Sequence, residues 1–183
     1  MQASKWAGPS FREGQECNLQ TSFLNNLSVL TEPPINPIAV FEVPNDQTEE
    51  DYRNRYLLQG IATGPANPND IDRLERDLGF GLPAAYRAYL RVCGTHPPKS
   101  LVGSDCVITD LRDNHEAAME MLIENESAWL LPTKAVVFLM HQGYIFFYFD
   151  AAASHDPAVF RYYEGDQKPT QVDDRFSHWV MGL

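Results

Sequence analysis

The chain has 183 residues, of which 44% are hydrophobic and 21% are charged, and its formal net charge is -11. This composition excludes a compositionally disordered protein and fits one domain of ordinary size with an extension, or two small domains. The acidic balance argues against binding to nucleic acid or to an anionic membrane through overall charge, because both present phosphate groups. Basic proteins remain as candidate partners.

The cysteines and the N-terminus indicate a cytoplasmic protein. Cys17, Cys93 and Cys106 are too few, and odd in number, for a disulfide framework. Residues 1–6 lack the apolar core of a signal peptide, and no apolar run is long enough to cross a bilayer. We therefore expect reduced thiols, a cytoplasmic location and no membrane partner.

Residues 1–67 differ from the rest of the chain because prolines at positions 33, 34, 37 and 44 interrupt any regular element. Thr48 is a good N-cap for a helix that ends at Gln59, with Gly60 at its C-terminal end. We expect this N-terminal extension to be partly ordered and to pack on the main domain without entering its core. The sequence assigns it no function.

Residues 68–183 form the predicted main domain, which opens with two helices joined by a short turn. Asn69 is the predicted N-cap of the first helix, whose apolar residues recur at helical spacing until Gly79 ends it. Pro83 stands at the first position of the second helix, which ends near Gly94. The pair forms a helical hairpin.

A DNA-binding helix-turn-helix is the alternative interpretation of this pair. Its recognition helix would carry Arg87 and Arg91 as its only bases on a strongly acidic protein, which argues against that function. We therefore predict no nucleic-acid partner.

The remaining elements are a third helix, several strands and a closing helix. The third helix is predicted over about 113–125, and the closing helix begins after Asp173 or Asp174. The predicted strands are 106–108, 135–140, 144–149 and 158–163, with a turn at 141–143. This order predicts an α+β domain with an antiparallel or mixed sheet and helices packed mainly on one side.

Four stretches, in order along the chain, carry a resemblance to a known family. They are Ile71–Leu90, Phe138–Tyr144, Asp156–Phe160 and Phe176–Trp179. The first holds a helix, a glycine turn, a Leu-Pro pair, a tyrosine and a second helix. From about Pro68 to the C-terminus the chain resembles the SUKH superfamily, of the Smi/Knr type. It departs from that pattern at Cys93-Gly94, where these domains usually carry Asn-Gly, and the first 67 residues lie outside the resemblance.

The resemblance implies an immunity protein that binds and neutralises a cognate bacterial polymorphic or contact-dependent toxin, often a nuclease. Other members of the superfamily act as non-catalytic regulatory or scaffolding modules, and this alternative stays open. The resemblance transfers no catalytic residues, no cofactor and no contact residues. Neither the toxin nor the oligomeric state is indicated by the sequence.

The reactive side chains of the domain do not form a recognisable catalytic or metal-binding pattern. Cys93, His96 and Cys106, with His115 as a distant fourth, lack the paired close spacing of a structural zinc site. Cys93 paired with His96 or His141 is the alternative nucleophile and base, but Cys93 ends a helix, where the dipole does not favour a thiolate. We predict no catalytic residue, no cofactor and no metal.

One segment is more acidic than the rest of the domain. Residues 105–126 hold seven acids and one base, a net charge of -6, whereas all of residues 68–183 carry -7. Asp113, Glu116, Glu120 and Glu124 are spaced three, four and four apart, which places them on one helical face. Like charges at this spacing destabilise a helix by about 0.2–0.5 kcal/mol per pair. We predict that these four residues bind a basic partner, namely the toxin domain; the alternative is a solvated acidic face.

Overall fold

The computed structural model describes residues 46–58 and 64–183. Predictions for residues 1–45, including the four prolines, and for the helix end at Gln59 and Gly60 lie outside the described residues. Within those ranges the helices are α1 (Asp46–Leu58), α2 (Pro68–Leu78), α3 (Ala84–Cys93), α4 (Leu111–Glu124) and α5 (Phe176–Met181). The strands are β1 (Ser104–Asp105), β2 (Ala135–His141), β3 (Ile145–Asp150), β4 (Val159–Tyr163) and β5 (Thr170–Asp173).

The five strands form one antiparallel sheet in the order β1-β2-β3-β4-β5, so each strand pairs with its neighbour in sequence. The β2–β3 hairpin turns where Gln142 and Gly143 both have positive φ, at 50° and 77°, which suits the right-handed twist of the strands. This sheet with its helices confirms the predicted α+β fold.

Local details of two predicted elements differ in the structure, and one strand is additional. The N-cap of α2 is Asn67, whose Oδ1 accepts a hydrogen bond from the Asn69 backbone N–H at 2.9 Å, and Pro68 occupies the first turn. The predicted strand at 106–108 is wrong, because Ser104–Asp105 pairs with β2 and Ile108–Asp110 is a 3-10 turn. β5 was not predicted.

The larger core lies between one face of the sheet and helices α1, α2, α3 and α5. Tyr86 is fully buried at its centre, with its ring 5.1 Å from Phe149 and 5.2 Å from Phe176, edge-on to both. Edge-to-face rings of this kind add stabilisation beyond the area they bury. Aromatic side chains therefore join α3 and α5 to the sheet.

Helix α1 also contributes to this core. Tyr52 is 1% exposed and contacts Tyr89 edge-on, with ring centroids 6.4 Å apart. The expectation that the N-terminal extension stays outside the core therefore does not hold for α1. The boundary at residue 68 remains a prediction.

The opposite face of the sheet holds a second, smaller core, which α4 covers. Ala118, Met121 and Leu122 point inward from α4, and Trp129 closes the core by stacking on Tyr162 at 6.2 Å. Most helices in the described ranges lie on one face, as predicted, but α4 lies on the other. Among the described residues, no helix combines the length and apolarity needed to cross a membrane.

Candidate protein-interaction surface

Helix α4 is fixed to the domain by its inward side, which leaves its outer side free to carry charge. Besides the apolar contacts to the sheet, the buried Asn114 side chain donates a hydrogen bond from Nδ2 to the Asp105 backbone oxygen at 2.9 Å. Because Asp105 belongs to β1, this bond joins the helix to the edge of the sheet. The outer side of α4 is thus held at a fixed rotation relative to the domain.

The four predicted site residues all lie on the outer side of α4. Asp113, Glu116, Glu120 and Glu124 are exposed, as their spacing predicts. The structure therefore brings the four carboxylates onto one solvent-facing side of the helix. Their role in binding stays a prediction.

The carboxylates differ in whether they already have a basic partner. Glu116 accepts a hydrogen bond from Arg112 Nε at 3.0 Å, one turn earlier, and this bond raises the pKa of Arg112. No described base lies within ion-pair distance of Glu120 or Glu124. Negative charge is therefore least compensated in the C-terminal half of α4.

Two apolar side chains share this outer side with the carboxylates. Ile123 is 72% exposed and Met119 is 36% exposed, one turn apart. An amphipathic pattern normally directs such residues inward, so sequence analysis missed them as surface residues. The signal that could have found them is the helical phase, because Ala118, Met121 and Leu122 already fill the inward side.

The stretches that carry the family resemblance meet in the structure. The Ala85 backbone N–H, at the start of α3, donates to the His155 oxygen at 3.1 Å. The next residue, Asp156, accepts a hydrogen bond from the Ser177 backbone N–H at 2.9 Å at the start of α5.

The family model described as SMI1 / KNR4 family (SUKH-1) matches residues 65–182. The chain belongs to this family. No curated protein matches the chain.

The cysteines and histidines of this SUKH-1 domain do not form a reactive centre in the described part of the chain. Cys93 and Cys106 are buried, whereas His96 is exposed. Burial, with Asp110 and Asp105 nearby, raises the pKa of Cys106 to about 12. Its thiol therefore stays protonated at neutral pH, which does not suit a nucleophile.

The potential metal ligands that do come together in the described SUKH-1 domain lie elsewhere, at the start of α5. Ligand atoms of Asp173, Asp174 and His178 lie within 4.8 Å of one another. His178 Nδ1 is 2.9 Å from an Asp173 oxygen, and the Arg175 backbone N–H donates to the same carboxylate at 3.2 Å. Burial opposes ionisation of Asp173, but these hydrogen bonds outweigh it and lower its pKa. The group therefore forms a local hydrogen-bonded cluster that closes the turn before α5.

The two arginines of the rejected helix-turn-helix are engaged by acids within the SUKH-1 domain and α1. Arg87 forms ion pairs with Glu75 and, at 3.3 Å, with Asp72, both on α2. Arg91 lies 3.7 Å from a Glu49 oxygen on α1. Their charges therefore tie helices together instead of projecting toward a phosphate backbone.

Proposed function

We propose that this chain is an immunity protein that binds a cognate bacterial toxin domain and neutralises it without catalysis. Membership of the SMI1 / KNR4 family fits this role, because the superfamily includes such proteins. The described reactive side chains are buried, dispersed or engaged in local ion pairs, which supports a binding function over a chemical one. The cytoplasm is the proposed site of action.

The proposed contact surface is the outer side of α4. The observation that carries it is the set of four exposed carboxylates, three of which (Asp113, Glu120 and Glu124) have no described base within ion-pair distance. A surface with this concentration of charge attracts a basic protein and accelerates the encounter with it. A nuclease toxin is the natural match, because the groove that holds its nucleic acid is itself basic.

The function is tested by survival on co-expression. An immunity role implies a toxin gene beside the gene for this chain, so the probe is the C-terminal domain of the secreted protein encoded there, expressed in a host that lacks both genes. We expect host cells to survive when the full chain is present and to die when it is absent. Death at equal toxin levels with the folded chain present would reject the immunity role and favour a regulatory or scaffolding module.

The contact surface is tested by reversing charge on α4. We expect Glu120→Lys/Glu124→Lys to slow association with the toxin domain by about tenfold at low salt, because charge complementarity mainly sets the association rate. The melting temperature should hold or rise slightly, since lysine is a good helix former, position 120 changes from repelling to attracting Glu116, and positive charge suits the C-terminal end of the helix, while positions 120 and 124 stay like-charged. Stopped-flow kinetics at several salt concentrations measures the first effect and thermal unfolding the second.

A matched control separates the position of the charge from its amount. Glu50→Lys/Glu164→Lys makes the same change in net charge at exposed sites on α1 and after β4. This control should keep an association rate within about twofold of wild type and a steeper salt dependence than the α4 variant. Equal behaviour of the two double variants would mean that α4 is only a solvated acidic surface.

A further inference from the structure

The outer side of α4 is divided lengthwise into an acidic half and an apolar half. With 3.6 residues per turn, Asp113, Glu120 and Glu124 fall on one flank of that side, and Met119 and Ile123 fall on the other, which begins with the exposed Arg112 and is apolar after it. Glu116 lies between the two halves, three residues before Met119, as Glu120 lies three residues before Ile123. The exposed apolar pair therefore borders directly on the carboxylates.

Stability of the isolated domain does not account for Ile123. Its side chain is 72% exposed, so it gains little from burial. Isoleucine is also a poorer helix former than alanine, leucine, glutamate or lysine, because its branched side chain loses rotamer freedom. Isoleucine at position 123 therefore makes the helix slightly less stable. It also leaves apolar surface in water next to the least compensated charges of α4.

Single exposed apolar residues are common on protein surfaces, and Leu130 and Val102 show the same degree of exposure elsewhere. What distinguishes Met119 and Ile123 is that they form a continuous stripe over one turn of a single helix, with carboxylates along one edge. Protein interfaces commonly have this composition, with an apolar centre that is desolvated on binding and a polar rim that stays wet. The charge of the rim specifies a basic partner.

We propose, resting on the proposed function, that Met119 and Ile123 form the apolar centre of the toxin contact and that Glu116, Glu120 and Glu124 form its charged rim. The partner then presents an apolar pocket set in a basic surface. Specificity among basic toxin domains resides in the fit of Ile123 into that pocket, because charge alone attracts any basic protein.

The two halves of the surface have different kinetic signatures. Rim charges act at a distance, so they change the association rate and its dependence on salt. An apolar centre acts only after contact, so it changes the dissociation rate, and salt has little effect on that change. These signatures distinguish a binding role for Ile123 from a structural role, which would alter the melting temperature instead.

The test measures association and dissociation rates of the full chain with the co-encoded toxin domain by surface plasmon resonance at low and high salt. We expect Ile123→Ala to dissociate about tenfold faster at both salt concentrations, as expected for a central interface residue, with an association rate within about twofold of wild type. Met119→Ala should show a smaller increase. Val102→Ala is the matched control, since Val102 is 70% exposed outside α4, and it should match wild type.

Several outcomes would overturn the inference. A wild-type dissociation rate for both Ile123→Ala and Met119→Ala, with melting temperatures unchanged, would place the apolar stripe outside the contact. So would a wild-type chain that dimerises in solution and becomes monomeric on Ile123→Ala while toxin binding is unchanged, because the stripe would then join two copies. Failure of the proposed function itself would give a different result, because the wild-type chain would then neither bind the toxin domain nor protect cells.

Discussion

At the scale of single residues, Asp156 shows how side chains that are far apart in sequence are joined. Its carboxylate accepts hydrogen bonds from both the backbone N–H and the hydroxyl of Ser177, 21 residues later. It therefore does for α5 what an N-cap residue does for a helix, although it comes from the loop before β4. The adjacent Phe176 and Val180 are fully buried, so this bond positions part of the larger core.

We predict that Asp156→Ala lowers the free energy of unfolding by about 1–2 kcal/mol, because the start of α5 loses its acceptor. Asp156→Asn keeps one acceptor oxygen and should lose less. Urea unfolding at neutral pH measures both, with Glu164→Ala as an exposed control that should leave the free energy of unfolding within about 0.5 kcal/mol of wild type. Equal stability of Asp156→Ala and the control would contradict this role.

The Asp173 carboxylate links stability to pH. Its pKa is lowered in the folded chain, so the folded state favours the ionised form more than the unfolded state does. Its contribution to stability is therefore present above the ordinary pKa of aspartate, about 3.9, and is lost as the pH falls through the lowered value. We predict that the difference in unfolding free energy between wild type and Asp173→Asn shrinks below about pH 4. A difference that is constant from pH 7 to pH 3 would contradict this prediction.

At the scale of elements, α1 is part of the structural unit even though the family match begins at residue 65. Tyr52 packs against Tyr89 of α3, and α1 also contacts α5. The family fold thus has an additional helix on the face of the sheet that already holds α2, α3 and α5. No described helix covers the outer side of α4, which lies on the opposite face of the sheet.

We predict that Tyr52→Ala lowers the free energy of unfolding by about 3 kcal/mol, as expected for loss of a buried aromatic ring. Arg53→Ala is the control, because Arg53 is exposed on the same helix and its ion pair among the described residues is the i,i+4 pair with Glu49, worth about 0.5 kcal/mol or less. A chain that starts at residue 68 should be destabilised at least as much as Tyr52→Ala. Chemical denaturation measures all three, and full stability of the shortened chain would place α1 outside the core after all.

The elements also show which parts of the fold follow from local sequence. Helical spacing predicted α2 and the shared side of the four carboxylates on α4, and Pro83 and Gly94 predicted the ends of α3, because these features depend on contacts within one or two turns. The short β5 was missed because Thr170–Asp173 has only one strongly apolar residue, Val172, and pairs with β4 through long-range contacts. Long-range contacts also decide which face of the sheet α4 covers. Helical spacing can therefore indicate which side of α4 points inward, but not which face of the sheet the helix packs on.

The sequence predicted the acidic residues of the candidate site but not its apolar residues. Helical spacing was sufficient to place four carboxylates on one side of α4, and the structure shows them exposed. The apolar half was not predicted, because an isoleucine in an amphipathic helix is normally assigned to the core. Ala118, Met121 and Leu122 fill the inward side of α4, so Ile123 lies outside and is 72% exposed.

At the scale of the whole molecule, the two faces of the sheet in the SUKH-1 fold differ in how many described helices cover them. One face is thickly covered by α1, α2, α3 and α5, with an aromatic core that holds the domain together. The other carries a smaller core under a single described helix, whose outer side has both uncompensated charge and exposed apolar surface. We infer that the first face supplies stability and the second supplies recognition.

The most direct test is to titrate the activity of the purified co-encoded toxin domain with the purified full chain. We predict that toxin activity falls in proportion to added chain and is abolished at stoichiometric amounts, while Glu120→Lys/Glu124→Lys and Ile123→Ala require more chain for the same inhibition. Undiminished toxin activity in the presence of excess chain that is shown to be folded by its thermal transition would contradict the proposed function.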